Sequence, residues 1–422
     1  MVFNPVDKLK YLTAALLAVV LAAGCASEAE GTVKLTIATF GEFGYDPLLK
    51  EYEAAHPGIR IESRVAEFEA HHKGAATQMA AGRGAADILA IEEQYMPQFR
   101  QSAAKFVDLA RFGARDLQTR WPQWKWEQGL GPAGAVLGLG TDMGSLAMCF
   151  RKDYFGQAGL PTDRDAVSRL WPTWEDYARV ADQFSAKVPA TKFADSAGGI
   201  YTAILNQSPE NFFSASDDSF IADRNPGLQR AFTLAGQIGA KGQTARVTPF
   251  TQPWNVAIKQ GSFATIACPA WMLTQIQEAG GAENAGKWDV ASVPGGGGNN
   301  GGSFLTVPAQ SEHPQQAYEL AKWLTDPAQE IRLFSASNIL PSEPAAYRSP
   351  AVLEKVDPYF SGAPIGRIYA ASADTLQPNY RGLKDAVVRP TFGTALGRVE
   401  SGKQSLDAAW NQAVAEARAA VS

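Results

Sequence analysis

Apolar residues recur along this chain with two different periods, and the two alternate. Over Val33–Thr39 (VKLTIAT) apolar and polar positions alternate as far as Ile37, the period of a strand with one buried face. Asp46-Pro47 then opens a segment in which Leu48, Leu49, Tyr52 and Ala55 share a helical face. Asp is placed there to cap and Pro to fill the first turn, and His56-Pro57-Gly58 ends the helix. Ile59, Ile61 and Val65 predict the next strand, so the unit reads β-α-β and its strands must be parallel. Phe68–Ala81 predicts a second helix leading into DILAI (Asp87–Ile91), a continuous apolar run of the kind found in buried strands.

The same alternation runs on. LAMCF (Leu146–Phe150), FATIACP (Phe263–Pro269) and SFLTVP (Ser303–Pro308) read as strands. Thr173-Trp174-Glu175-Asp176 has the form of a capping box, followed by Trp174, Tyr177, Ala178, Ala181 and Phe184 at helical spacing. Ala317, Leu320, Ala321 and Leu324 mark another amphipathic helix, and Leu406, Trp410, Ala413, Ala417 and Ala420 a last one. Alternation on this scale argues an α/β architecture. A chain of 422 residues is too long for one ordinary core and predicts at least two domains. The glycine-rich stretch Val293–Ser303 lacks the Gly-Lys-Ser/Thr ending of a phosphate loop and reads as a connection feeding a strand. No internal repeat is present.

Composition and charge change the picture at the N-terminus. Lys8 and Lys10 precede a run, Tyr11–Ala23, that is apolar but too short to span a bilayer, as in a signal peptide. Leu21-Ala22-Ala23-Gly24-Cys25 resembles the lipobox of bacterial lipoproteins, which implies lipidation of Cys25 and a mature chain that begins there. Residues 1–24 are then signal and 25–31, small and acidic, a tether. A net charge of −5 with scattered Lys and Arg argues against nucleic acid as a partner. Besides Cys25 there are Cys149 and Cys268, each inside an apolar strand. In an oxidising compartment they can pair, or they can remain two buried thiols; strand patterning alone does not give their separation.

Several segments together resemble one family, the extracellular solute-binding proteins of bacterial ABC importers of the carbohydrate-binding, maltose-binding-protein-like type. They are YDPLLKEYEAAHPGIRIESR, ADILAIEEQYMPQF, LGLGTDMGSLAMCFRKDYFGQAGLP with WPTWEDY, AIKQGSFATIACPAW, GGSFLTVPAQSEHPQQAYELAKWLT and NILPS, in that order. The resemblance implies an α/β, two-lobed periplasmic-binding-protein-like fold with a hinge and a central ligand cleft. Lobe one is expected at 32–139 plus 305–365 and lobe two at 140–304 plus 366–422. The crossings are expected near Gly138–Met143, Gly301–Phe304 and Gly366–Asp374. It further implies a monomer without cofactor or metal that captures a carbohydrate, an oligosaccharide by expectation, and hands it to ABC transporter permease subunits from the outer face of the cell membrane.

A sugar has polar edges and weakly apolar faces, so its site needs aromatic platforms beside carboxylates, amides and Arg. Trp271 follows a strand end, where α/β sheets gather ligands, and the resemblance implies an aromatic stacker at that place. Asp142 lies at the first crossing and Gly302 and Ser303 at the second, the glycine permitting close backbone approach. Glu92 and Glu93 end the strand DILAI, and Glu42 and Phe43 end the first strand. Asn206, Tyr380 and Arg381 complete the candidate set, with Trp254 behind them. Enzyme readings fare worse. Adjacent Glu92 and Glu93 point to opposite sides of a strand, a poor glycosidase pair. His71-His72 lacks a metal-binding pattern, and no Gly-x-Ser-x-Gly elbow occurs. The expectation is a binding protein and not an enzyme. Another polar solute such as glycerol phosphate, or an extracellular carbohydrate-active lipoprotein enzyme, stands as the alternative.

Overall fold

The structure, a computed structural model, describes residues 31–422; the signal and Cys25 lie outside the described residues. Nine strands form two sheets among these residues. They are β1 (Val33–Phe40), β2 (Ile59–Ala66), β3 (Ile88–Glu92), β4 (Gly138–Gly140), β5 (Leu146–Arg151), β6 (Lys192–Ala194), β7 (Phe263–Pro269), β8 (Trp288–Ala291) and β9 (Ser303–Thr306). The first sheet has the order β2-β1-β3-β9-β4 and the second β6-β7-β5-β8. β1 runs parallel to both β2 and β3, as the β-α-β reading requires. β9 then enters antiparallel between β3 and β4.

Local signals act largely as read. Thr173 and Asp176 close a reciprocal capping box at the start of the helix Trp174–Lys187. The helix Phe68–Ala81 ends where glycine takes up a left-handed conformation at Gly82. Asp46 differs from expectation: it is the first helical residue and its side chain caps nothing, the preceding Tyr45 being buried in the core instead.

The second sheet is covered on both faces, which explains why LAMCF is apolar throughout. Leu146, Met148 and Phe150 point into a core with Phe155, Trp171, Tyr177 and Phe193. Ala147 and Cys149 point the other way, towards Trp254, Ile266 and Trp288. On that second face Cys149 of β5 is bonded to Cys268 of β7, with Cα atoms 5.8 Å apart. The bond closes a span of 119 residues. In the chain-entropy picture that is worth up to about 5 kcal/mol.

One expectation about the lobes changes. Residues 305–365 were assigned to lobe one, yet Leu340, Tyr347, Val352, Phe360 and Ile365 are buried against the second sheet. Each such burial is worth roughly 1.5–3 kcal/mol, and nothing in a short apolar helix specifies which of two sheets it covers. The third crossing moves accordingly. The helix Ile365–Asp374 lies wholly on the second sheet, where Tyr369 donates to the Cys268 carbonyl and Ser372 to that of Leu146. The chain instead crosses at 338–342, directly after the helix Pro327–Ser337, whose Leu333 belongs to the first core and Phe334 to the second.

Three extended segments therefore run side by side between the sheets. In the middle is 141–145. On one side Thr141 N–H donates to the Ser303 carbonyl at 2.9 Å and Asn300 N–H to that of Gly144 at 2.8 Å. On the other, Met143 N–H donates to the Leu340 carbonyl at 2.9 Å and Ser342 N–H to that of Thr141 at 3.1 Å. A Cβ at Gly144 would sit 1.7 Å from the Asn300 carbonyl oxygen, so the close approach of the first two segments requires glycine.

Candidate functional site

β3 runs towards this three-stranded junction and delivers two carboxylates to it. Glu92 is in register with Ser303 of β9, and the Glu93 N–H donates to the Gly302 carbonyl at 3.0 Å. Alternation then sends their side chains apart. Glu92 accepts the N–H of Gln94 at 2.7 Å. Glu93 reaches over to the second sheet's side of the molecule, where it accepts Asn299 Nδ2 at 2.5 Å and Arg381 Nη2 at 3.3 Å. The same Nη2 donates to Asn206 Oδ1 at 2.8 Å, and Nη1 lies 3.8 Å from Asp385.

Arg381 is held rather than free. Tyr380 beside it donates its N–H to the Pro209 carbonyl and its hydroxyl to Asp218. A side chain at Gly382 would strike Phe213 and Asp218, so this loop is pressed onto the second core. The guanidinium is only 7% exposed and the Glu93 carboxylate 3%, so the pair is desolvated. Burial pushes Glu93 up from the ordinary carboxylate range, while Arg381 and Lys125 pull it back. Burial and the charge of Glu93 push Glu92 up to about 8.

Lys125 was not among the sequence candidates. It sits on the helix Gln123–Gln128, completely buried, with Nζ 4.2 Å from the centre of the Phe304 ring and no hydrogen-bond partner among the described residues. Burial lowers its pKa, and Glu93, Asp142, Glu92 and Glu330 raise it. The signal was present: a single cation in WPQWKWEQ, a run otherwise rich in tryptophan. Glu330 was also missed. It lies three and four residues before Leu333 and Phe334 on an inward helix face, and burial followed by the charge of Glu343 pushes it well up. Asn299 was hidden in the glycine-rich stretch.

The remaining candidates divide. Asp142 is part of the junction itself, its Oδ1 accepting from Thr141 Oγ1 at 2.8 Å and from Ser303 N–H at 3.2 Å. Trp271 lies just past β7, partly buried, and donates its indole N–H to the Asn300 carbonyl at 2.9 Å; one ring face is shared with Phe250 at 5.5 Å. Trp254 is a core residue. Glu42 is exposed, and half-buried Phe43 packs on Phe40 and Tyr45 beside a small void that Asp142 and Glu330 also line. His71 and His72 serve the backbone. His71 Nε2 meets the Ala90 carbonyl and His72 Nδ1 that of Phe68, while His72 Nε2 accepts from Glu92 N–H, so His72 is neutral with its proton on Nδ1. Burial pushes it down to about 3.

The structure thus gathers Glu93, Asn206, Asn299 and Arg381 across the two sheets, with Glu92, Asp142, Gly302, Ser303 and Lys125 around the junction and Trp271 on its Asn300 side. The Glu93 carboxylate and the Asn206 amide oxygen accept here, and Arg381 and the Asn299 amide nitrogen donate. A polyhydroxylated guest, each hydroxyl being donor and acceptor at once, is the chemistry that can interpose among such groups.

Comparison with known proteins gives the family and the fold. A family described as bacterial extracellular solute-binding protein matches residues 48–357. A crystal structure of an extracellular solute-binding protein family 1 member is 42% identical, with a TM-score of 0.85, covering 92% of this chain and all of that one. The ABC transporter-associated binding protein of B. animalis subsp. lactis Bl-04, solved with β-1,6-galactobiose, is 18% identical with a TM-score of 0.77, over 91% of this chain and 96% of its own; it shares the fold. The lactose-binding protein of Rhizobium radiobacter is 24% identical over 219 residues, 49% of this chain and 47% of that relative.

Proposed function

Because this chain belongs to the bacterial extracellular solute-binding protein family, and so acts outside the cytoplasm, we propose that it captures a carbohydrate, an oligosaccharide by preference, between its two lobes and delivers it to the permease of an ABC importer. The observation that carries the reading is the meeting of Glu93, just past β3, with Asn206, Asn299 and Arg381, held by a helix end and two loops on the second sheet's side, beside the indole of Trp271. Hydroxyls that bridge these groups hold the lobes together, and the permease reads the closed shape. The lobes are best drawn as 32–139 plus 305–339 and 140–304 plus 340–422. The chain acts as a monomer, tethered by a lipid on Cys25, and binds without catalysing a reaction on its ligand.

Arg381 and Lys125 bring cations to this region, which suits an anion such as glycerol phosphate only if those charges are free. Arg381 is already matched by Glu93 and Asp385, and the charge of Lys125 is offset by Glu93, Asp142, Glu92 and Glu330 around it, which favours a neutral guest. The deciding experiment is a thermal-shift panel of neutral oligosaccharides, glycerol phosphate and amino acids, since a ligand bound to the native state raises Tm. Neutral sugars are expected to do so and Trp271→Ala to weaken them roughly 10–100-fold. Shifts from phosphorylated solutes alone, or an unchanged affinity in the Ala variant, would overturn the ligand class or the role of Trp271 respectively.

A further inference from the structure

The chain enters the helix Gln252–Gln260 through the turn Thr248-Pro249-Phe250-Thr251, closed by the Thr251 hydroxyl donating to the Thr248 carbonyl at 2.7 Å. Phe250 occupies the position where such turns use glycine or asparagine, with φ of +66°. A bulky aromatic residue in left-handed backbone is disfavoured and persists where the side chain has a use. The residue is 53% exposed, so burial does not supply that use.

The surroundings do. The Phe250 ring lies 5.4 Å from Trp254, which is buried, and 5.5 Å from Trp271, which is hydrogen-bonded to the Asn300 crossing. Together with Trp254 it lines a cavity of about 430 Å³ between the helices Gln252–Gln260 and Met272–Gly280. That volume is within the range of small-molecule sites. Its polar lining is Gln252, Asn255 and Gln275 with Lys259 and Glu278. Amides supply donors and acceptors together, and an exposed aromatic face supplies the platform, which is the combination a pyranose ring asks for.

We propose that Phe250 and this cavity form an outer subsite that holds a further sugar unit of an oligosaccharide whose inner unit lies against Trp271. The assignment rests on the carbohydrate reading above. It makes Phe250 a determinant of chain length, and the strained turn the device that holds the ring out of the core.

The test is titration calorimetry with malto-, cello- and β-galacto-oligosaccharide ladders of two to five units. Phe250→Gly relieves the backbone and removes the ring together. It is expected to leave Tm unchanged or higher while weakening the longer members of the bound ladder roughly 5- to 30-fold and the disaccharide less than about twofold. Phe250→Tyr should restore the long-chain affinity, and Trp271→Ala should weaken every length. Equal loss at all lengths, or none, in Phe250→Gly overturns the subsite while wild-type binding upholds the carbohydrate reading. Failure of every ladder to bind the wild type overturns both.

Discussion

Breaking the bridge between the lobes tests the site most directly. Glu93 and Arg381 stand 3.3 Å apart, nearly dry; the one lies just past β3 of the first sheet and the other in the loop 375–384 beside the second sheet's core. With an effective dielectric of about 20, Coulomb's law gives roughly 5 kcal/mol for such a pair before the cost of desolvation is taken off. The neighbours decide what remains after each truncation. In Glu93→Gln the amide oxygen still accepts from Asn299, and Arg381 keeps Asp385, so a loss of about 1–2 kcal/mol is expected. In Arg381→Met Glu93 loses its nearest cation in a buried place, and about 3–4 kcal/mol is expected. The double variant should cost about 2 kcal/mol less than the sum. Urea unfolding, with fluorescence and far-UV dichroism required to coincide, measures each corner of the cycle. The pair Glu51–Arg332, 2.7 Å apart but about half exposed, is the control; it should couple far more weakly and weaken further in salt, whereas the buried pair should not. Additivity within about 0.5 kcal/mol at Glu93 and Arg381 would refute the claim that this contact ties the lobes together.

Stability should fall as pH rises from 6 to 9. Glu92 at about 8, Glu343 at about 7 and Asp195 at about 7 are all raised chiefly by burial, so the native chain retains protons that the unfolded chain has released, and the stabilisation is lost as pH passes through those folded values. His72, lowered to about 3 by burial, acts oppositely below its ordinary value near 6.5, but one imidazole is outweighed by three carboxyls, so the optimum lies below pH 6, towards the ordinary carboxylate range. A Tm that is flat or climbs between pH 6 and 9 would contradict the buried carboxyls. Cys25→Ser should shift the protein from the membrane fraction to the medium or periplasm on immunoblots, and continued sedimentation with membranes would rule out the proposed anchor.

Periodicity carried most of the fold because it reports which face of each element avoids water. Val33–Thr39, Phe68–Ala81, LAMCF and the Thr173 capping box all formed as their patterns read. The site was legible in part. Glu93 and Trp271 were named from strand ends and Asn206 and Arg381 as polar residues of YTAILNQ and PNYRG, and all four lie at or beside the junction. Lys125 and Glu330 escaped because an isolated charge in an apolar run marks burial without naming its company. Phe250 escaped because a positive φ at phenylalanine has no signature in residue order.

By itself, the order of residues determined that strands and helices alternate and which short segments face inward. Those are local properties, set by the period of apolar side chains over a few turns or strand steps. Only tertiary structure decided that 340–365 covers the second sheet, that the third crossing lies at 338–342, and that Glu93 meets Arg381, 288 residues away in the chain. The reason is that such choices compare the packing of whole faces and the desolvation of charges against one another, and neither quantity exists until the two sheets are assembled.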